Sequence, residues 1–167
     1  MLQDVENLYC HSFATASTLP WPDSVCLPQK VLAELSEVEI SSIQSFQLNQ
    51  SKANQGDANA QFNLALMYKH GEGVPQDFKQ AIQWYTKAAE QGDVDAQYNL
   101  ALMYKNGEGV LQDYMIAYAW FNLAAFQGGE LPRKNRDIIL ERMTPSQIEE
   151  GQKHSKELYD KIYNRDK

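Results

Sequence analysis

Residues 55–90 read QGDANAQFNLALMYKHGEGVPQDFKQAIQWYTKAAE, and residues 91–126 read QGDVDAQYNLALMYKNGEGVLQDYMIAYAWFNLAAF. Aligned without a gap, the two stretches are identical at 22 of 36 positions. A fixed period of about 20 to 50 residues is typical of proteins in which each repeat packs against the next. The sequence therefore predicts a solenoid with a period of 36 residues.

Each copy contains the signals of two helices, here called helix A and helix B. An aspartate suited to N-capping precedes both helices, and a Gly-Glu-Gly turn ends helix A where glycine adopts positive φ at low cost. Small and apolar residues recur on one stripe of each helix, at Ala60, Leu64 and Met67 in helix A and at Ala81, Trp84, Tyr85 and Ala88 in helix B. The predicted fold is all-α, a right-handed α/α superhelix of about seven or eight helices.

The flanking segments predict caps at both ends of the array. Capping-box signals stand at Ser36–Glu39 and Thr144–Gln147, which are 108 residues or three periods apart. The third unit is degenerate, because Pro132 replaces the alanine of the first two copies and no Gly-x-Gly follows. We predict one solenoid domain with an N-terminal helical capping region (1–54), repeat 1 (55–90), repeat 2 (91–126) and a degenerate third unit with a C-terminal capping helix (127–167).

Composition excludes several functions. The net charge of −7 opposes binding to nucleic acid, and no apolar run reaches the ~18 residues of a membrane helix. The first residues are acidic and no signal peptide is visible, so we expect a cytoplasmic location; a periplasmic or secreted one would require a leader that was removed.

Catalytic and metal-binding motifs are not found. His11, His70 and His154 lie far apart in sequence, and no nucleophile motif or phosphate-binding loop is present. Cys10 and Cys26 match no zinc motif, and they are interpreted either as buried free thiols or as a disulfide. We therefore predict no enzyme activity, cofactor or metal.

The repeated positions resemble the Sel-one-like repeat (SLR) family, relatives of the tetratricopeptide repeat. The family pattern A-x-x-x-L-G-x-x-Y-x-x-G-x-G-V-x-x-D-x-x-x-A-x-x-W-(Y/F)-x-x-A-A-x-x-G matches from Ala60 to Gly92 and again from Ala96 to Gly128, with alanine instead of glycine at residues 65 and 101. The resemblance implies an α/α solenoid, common in bacteria, with a scaffold or adaptor role and mostly without catalysis. Cysteine-rich members are linked to β-lactam binding or hydrolysis, but both copies here lack the paired cysteines, so that activity is less favoured.

The resemblance also implies a binding face. If helix A lines the concave side, as in tetratricopeptide arrays, the residues that contact a protein or peptide are Asn59, Phe62, Asn63, Leu66, Lys69, His70, Asp95, Tyr98, Asn99, Leu102, Lys105 and Asn106. Asn63 and Asn99 are the strongest candidates, because an amide can both donate to and accept from a peptide backbone. The alternative interpretation is that Phe62 and Tyr98 pack against a neighbouring repeat and the asparagines are only solvated.

Helix B of the second copy carries an additional apolar stripe. Lys79, Gln83, Lys87 and Glu90 of the first copy are replaced by Met115, Ala119, Leu123 and Phe126. Such a stripe must be covered, either by the terminal helix through Ile148, Leu158 and Ile162 or by a second copy or partner. We expect a monomer or weak homodimer, and self-association through the 115–126 stripe is the alternative function.

Overall fold

A computed structural model describes residues 37–164, and within this range the protein forms seven α-helices and no strand. The helices are α1 (Glu37–Asn54), α2 (Ala58–His70), α3 (Phe78–Glu90), α4 (Val94–Asn106), α5 (Tyr114–Phe126), α6 (Glu130–Leu140) and α7 (Pro145–Tyr163). The chain divides into two compact units, residues 1–40 and 41–167. Only Glu37–Ile40, the start of α1, is described in the first unit, so the predictions for Cys10, Cys26 and the Ser36 cap lie outside the described residues.

The two copies fold as the hairpins α2–α3 and α4–α5, whose helices begin 36 residues apart. The predicted caps are confirmed: Asp57 and Asp93 accept hydrogen bonds from the backbone N–H of Ala60 at 2.8 Å and of Ala96 at 2.7 Å. Asp77 caps α3 and Asp113 caps α5 in the same way, each with two backbone amides. These bonds satisfy N–H groups that the first turn leaves without partners.

The Gly-Glu-Gly turns end helix A and also bring the chain close to the preceding helix. Gly71 and Gly107 are left-handed C-caps with φ of 74° and 75°. The second glycine is required for a different reason: a Cβ at Gly109 would lie 2.5 Å from the Cβ of Phe78. A Cβ at Gly73 would likewise clash with the backbone of Ser42 in α1. Each turn is therefore fixed both by its φ and by contact with the previous helix.

The predicted stripes form the core. Ala60, Leu64 and Met67 of α2 are buried, as are Ala81, Trp84, Tyr85 and Ala88 of α3. The alanines allow close approach of the helices, and the aromatic side chains fill the space that remains. Ala65 and Ala101, which replace the family glycine, are also fully buried.

Buried glutamines connect successive hairpins, a feature that the sequence did not suggest. Gln61 donates to the carbonyl of Ala53 in α1 and Gln97 to that of Ala89 in α3, at 3.1 Å in both cases. Gln127 donates to the side-chain oxygen of Gln97 at 3.2 Å and to the Tyr163 hydroxyl at 2.6 Å. Because buried polar groups require partners, this chain of bonds fixes the position of the last turn of α7.

Helix α5 is the centre of the C-terminal half, since α4, α6 and α7 all pack against it. Eight of its 13 residues are buried, which explains why its sequence is apolar on every side. Helix α7 covers the 115–126 stripe: Ala119 and Leu123 are buried, and Tyr159 of α7 packs edge-on against Phe126 at 5.1 Å. Leu158 is buried, and Ile148 and Ile162 are partly buried against the same core. The terminal helix is thus the cover, the first of the two interpretations, while Phe126 remains 69% exposed.

Both ends of the array depart from the repeat. Ser45, Asn49 and Lys52 of α1 stand 36 residues before the buried Ala81, Tyr85 and Ala88, so α1 is polar at the positions where helix B of repeat 1 is buried. At the other end, Pro132 lies in the first turn of α6, where a missing N–H has no consequence, and the capping box of α7 is complete. Thr144 accepts from Gln147 N–H at 3.3 Å, and the Gln147 side chain accepts from Thr144 N–H at 2.9 Å.

Candidate protein-binding face

The twelve predicted site residues lie on α2 and α4, and none is buried. Asn59, Asn63 and His70 of α2 are exposed, as are Asp95 and Asn106 of α4. The other members are half-buried. Among them, the four apolar side chains Phe62, Leu66, Tyr98 and Leu102 pack against the core with part of their surface. The face therefore combines exposed polar groups with partly accessible apolar ones.

Each aromatic residue of this face packs against an aromatic side chain of its own repeat. The ring of Phe62 lies 5.8 Å from that of Tyr85 at 50°, and the ring of Tyr98 lies 5.7 Å from that of Phe121 at the same angle. The tyrosine of each pair lies on a different helix. In repeat 1 it is Tyr85 of helix B, and in repeat 2 it is Tyr98 of helix A. Each ring thus meets the aromatic side chain of its own helix B, and the Tyr98 hydroxyl also contacts the third unit through Asn135.

The two hydroxyls have different environments. The Tyr98 hydroxyl accepts a hydrogen bond from Asn135 Nδ2 at 3.3 Å. The Tyr85 hydroxyl is buried and has no hydrogen-bond partner among residues 37–164. Burial raises the pKa of Tyr85, and the negative charge of Glu108 raises it further. Tyr85 is thus a neutral donor that the fold leaves unused.

The side chains of the two asparagines selected from the sequence are not fully occupied by hydrogen bonds within the protein. Asn99 Nδ2 donates to the backbone carbonyl of Asp95 at 2.8 Å, one turn earlier. No hydrogen bond joins the Asn63 side chain to any residue in the described range. Because an amide has two donors and an acceptor, both retain hydrogen-bonding capacity.

The charged groups at the ends of the A helices contact the following unit. Glu108, in the turn of repeat 2, accepts a hydrogen bond from Asn106 Nδ2 at 2.8 Å and forms an ion pair with Lys69 at 3.7 Å. Lys105 Nζ donates to Asn135 Oδ1 at 2.8 Å. Lys69, Asn106 and Lys105 are therefore already engaged within the protein.

Helix α6 adds a third row to this face that the sequence interpretation missed. Asn135 follows Asn63 and Asn99 at intervals of 36, and Ile138 follows Leu66 and Leu102 in the same way. The 36-residue period, extended into the third unit, would have identified both residues. The rest of that unit is so different from the first two copies that the sequence offered no reason to extend the period. Asn135 is used to hold α6 against α4, whereas Ile138 is 47% exposed.

A second concave feature lies between α5 and α7. It is a shallow cleft of about 310 Å³ lined by Asn122, Leu123, Phe126, Gln152, Ser155, Lys156 and Tyr159. Two of its polar side chains are already paired, since Asn122 Nδ2 donates to Ser155 Oγ at 2.9 Å and Asn122 Oδ1 accepts from Arg136 at 3.0 Å. The cleft is thus part of the α5–α7 contact.

Among residues 37–164, no three histidine, cysteine, aspartate or glutamate side chains are grouped so that they could hold a metal ion. None of the described helices combines the length and hydrophobicity needed to cross a lipid bilayer. Capped helical hairpins in a fixed phase, with a regular polar and apolar outer face, define the class of α/α repeat proteins.

The comparison with family models identifies the repeat. Residues 58–93 and 94–129 each match the Sel1 repeat, with the same 36-residue period and a start three residues later than in the sequence alignment. Two segments of the chain thus match the Sel1 repeat, and its fold is the SLR solenoid of the similar structures. Sel1-repeat proteins are typically scaffolds for protein–protein interaction and are generally not catalytic.

Two of the solved structures that are similar to the chain show how far the likeness extends. One is c5321, a protective antigen present in uropathogenic Escherichia coli strains that displays an SLR fold, with 32% identity and a TM-score of 0.72 over 81% of this chain. The chain spans only 29% of the length of c5321. The other is a Sel1 repeat protein from Oxalobacter formigenes, with 29% identity and a TM-score of 0.52 over 72% of this chain and 90% of that protein. No match was found among curated proteins.

Proposed function

We propose that this protein is a non-catalytic scaffold that binds an extended segment of a partner protein, or a peptide, across the A helices α2 and α4. The proposal rests on one observation: Asn63 and Asn99 recur 36 residues apart on a face whose side chains are not buried, and both retain hydrogen-bonding capacity. A peptide backbone presents donors and acceptors at regular intervals, which such a row of amides can match.

The apolar side chains between the asparagines support the same function. Leu66 and Leu102 are half-buried, so each has support from the core and part of its surface free for a ligand. Amides that bind the backbone and apolar side chains that bind alternate residues would together give affinity and some selectivity. The face belongs to two helices that are each N-capped by an aspartate and C-capped by a glycine.

The experiment compares partner capture by three forms of the protein. The test variant is Asn63→Ala/Asn99→Ala, and the control is Gln83→Ala/Lys153→Ala, which removes two exposed polar side chains from helices α3 and α7. Captured proteins from the producing organism are quantified by mass spectrometry, and the affinity for the main partner is then measured by calorimetry. Circular dichroism first confirms that all three forms have the same helix content.

We expect the test variant to bind about tenfold more weakly, since each amide bond contributes roughly 0.5 to 1.5 kcal/mol and tenfold corresponds to about 1.4 kcal/mol. The control should bind as the wild type does. Equal binding by the asparagine variant would refute the helix-A site.

Self-association through the 115–126 stripe is the second candidate, and it rests on Phe126. This side chain is 69% exposed, whereas the middle of the stripe lies under α7. A stable dimer in light scattering that Phe126→Ser converts to monomer would favour this function. If the protein stays monomeric at high concentration, self-association is refuted and only the scaffold proposal remains.

A further inference from the structure

The cleft between α5 and α7 has a polar end and an aromatic end. At the polar end the Asn122 side chain donates to Ser155 Oγ at 2.9 Å. At the aromatic end the ring of Tyr159 lies edge-on to the ring of Phe126, with 5.1 Å between their centroids. These two contacts are four residues apart on both helices, so the ends are separated by roughly 6 Å, the rise of four helical residues. A ligand in the cleft therefore meets two different environments a short distance apart.

The polar end carries hydrogen-bond donors and no negative charge. Lys156 is the only charged residue that lines the cleft. It is exposed, and it belongs to none of the ion pairs formed among residues 37–164. Ser155 is only 4% exposed, and no described residue accepts a hydrogen bond from its O–H group. An ammonium, a hydroxyl and the second N–H of the Asn122 amide are donors suited to a carboxylate.

The aromatic end is apolar and accessible. Phe126 is 69% exposed, Tyr159 is half-buried, and Leu123, which also lines the cleft, is buried. Aromatic rings attract a further ring in edge-on or offset arrangements. An aromatic side chain therefore fits this end of the cleft better than a polar one.

Repeat 1 has no equivalent of the aromatic end. The residues of α3 that stand 36 positions before Leu123 and Phe126 are Lys87 and Glu90. Glu90 already pairs with Lys161 of α7 at 2.7 Å. The aromatic end is therefore a feature of α5 and not a general property of the repeat.

We propose that this cleft binds the C-terminal residue of a partner protein whose last side chain is aromatic. The terminal carboxylate would lie against Lys156 and Ser155, and the ring against Phe126 and Tyr159. Within one aromatic residue the ring and the terminal carboxylate are about 5 Å apart, which matches the separation of the two ends of the cleft. The negative charge of the terminus complements Lys156, the one charge in the cleft lining.

The size of the cleft favours a chain terminus over a free small molecule. The cleft is shallow, and its volume of about 310 Å³ is at the lower limit of ligand sites. It can hold one side chain and a carboxylate while the rest of the partner chain continues into solvent, whereas a free aromatic acid would stay largely exposed. The site lies on α5 and α7, so it is separate from the proposed binding face on α2 and α4 and does not depend on it.

The test is an NMR titration of the full chain, followed through the side-chain amide of Asn122 and the ring of Tyr159. Four probes are compared: the peptide acetyl-Gly-Ser-Gly-Phe with a free C-terminus, the same peptide with a C-terminal amide, acetyl-Gly-Ser-Gly-Ala with a free C-terminus, and phenylacetate. We expect saturable shifts with the first peptide and about fivefold weaker binding of the other three, since each lacks the carboxylate, the ring or the chain. Added salt should weaken binding of the first peptide, because Lys156 is exposed.

Three variants complete the test. Lys156→Gln should weaken binding of the first peptide about fivefold and remove most of its salt dependence, and Phe126→Ala should weaken it by a similar factor. Lys153→Gln is the matched control, because it removes an exposed lysine of the same helix that does not line the cleft, and it should have no effect. All three residues are exposed, and circular dichroism checks that the helix content is unchanged.

Several results would overturn the proposal. These are equal binding of the first peptide and its amide, unchanged binding by Lys156→Gln, or binding of phenylacetate as tight as that of the peptide, which would assign the cleft to a free aromatic acid. Shifts of Tyr159 that change with protein concentration before any probe is added would mark the cleft as a contact between two copies and would also overturn it. None of these measurements involves the helix-A face, so a failure here is distinct from a failure of the proposed function.

Discussion

The rings of Phe62 and Tyr85 pack at 5.8 Å and leave the Tyr85 hydroxyl buried without a hydrogen bond to any described residue. An unsatisfied buried donor costs roughly 1 to 3 kcal/mol. Tyr85→Phe should therefore raise the free energy of unfolding by about this amount, measured by urea denaturation monitored by circular dichroism.

The matched control is Tyr98→Phe, which removes the hydroxyl from the equivalent pair in repeat 2. That hydroxyl accepts from Asn135, so its loss should lower stability by about 0.5 to 1.5 kcal/mol. If both substitutions destabilise equally, the Tyr85 hydroxyl has a partner and its cost is absent.

Gly107 and Gly109 have the same φ of 75° but different surroundings, which allows the two reasons for a glycine to be separated. A Cβ at Gly107 meets its nearest neighbour at 3.4 Å, an ordinary contact, so Gly107→Ala should cost roughly 1 to 2 kcal/mol for the left-handed conformation. Gly109→Ala adds a clash with Phe78 and should cost about 1 to 3 kcal/mol more. Equal loss in thermal denaturation would mean that the turn does not depend on contact with α3.

Helix α7 should be necessary for a soluble monomer, because it covers α5. Leu158→Ala creates a cavity beneath α7 and should lower stability by about 2 to 5 kcal/mol. Deletion of residues 144–167 should expose Ala119 and Leu123 and lead to oligomers in size-exclusion chromatography with light scattering. A truncated chain that stays monomeric and soluble would contradict the role of α7 as a cover.

Asp93 predicts a pH dependence of stability. Burial raises its pKa, and the bond from the Ala96 amide, which lowers the pKa, only partly opposes this. A carboxyl whose folded pKa lies above the unfolded value of about 3.9 destabilises the protein above the folded pKa, and this cost disappears as the pH falls towards the unfolded value.

Asp93→Asn keeps a good N-cap without the charge, so it should be more stable than the wild type at neutral pH and equal to it below pH of about 4. Asp57→Asn, at the same cap position of α2, is the control. It measures how replacing a capping aspartate by asparagine changes the free energy of unfolding. If the stability gained by Asp93→Asn over the wild type increased as the pH fell, the prediction would be contradicted.

The elements repeated in the sequence could be predicted because their causes are local. Asp57 and Asp93 cap the helices that follow within three residues, and Leu64 is buried because the spacing on its own helix places it on the inner stripe. Because the two copies repeat in phase, each of these caps and apolar stripes occurs twice, which strengthens the prediction. The start of α7 was predicted for the same reason, since the capping box of Thr144 and Gln147 involves only four consecutive residues.

The remaining features depend on which residues from different units meet. The engagement of Glu108 by Lys69 joins residues 39 positions apart, and the contact of Tyr163 with Gln97 joins residues 66 apart. Neither follows from the spacing within one helix, because each contact depends on how one unit packs on another: Lys69 and Glu108 come from successive copies, and Tyr163 lies outside both. The binding face itself stays a prediction, since exposure shows which side chains are accessible and not what they bind.

The central position of α5 also determines where the array can be lengthened. A copy of residues 55–90 inserted between Glu90 and Gln91 would reproduce the contact of α3 with α4 at the new junction and leave α5 beneath α7. The same copy inserted after Phe126 would place α7 over Lys79, Gln83 and Lys87 and expose the apolar side of α5. Duplication in this protein is therefore compatible with folding on the N-terminal side of α5 only, and a longer row of A helices would be obtained by adding units there.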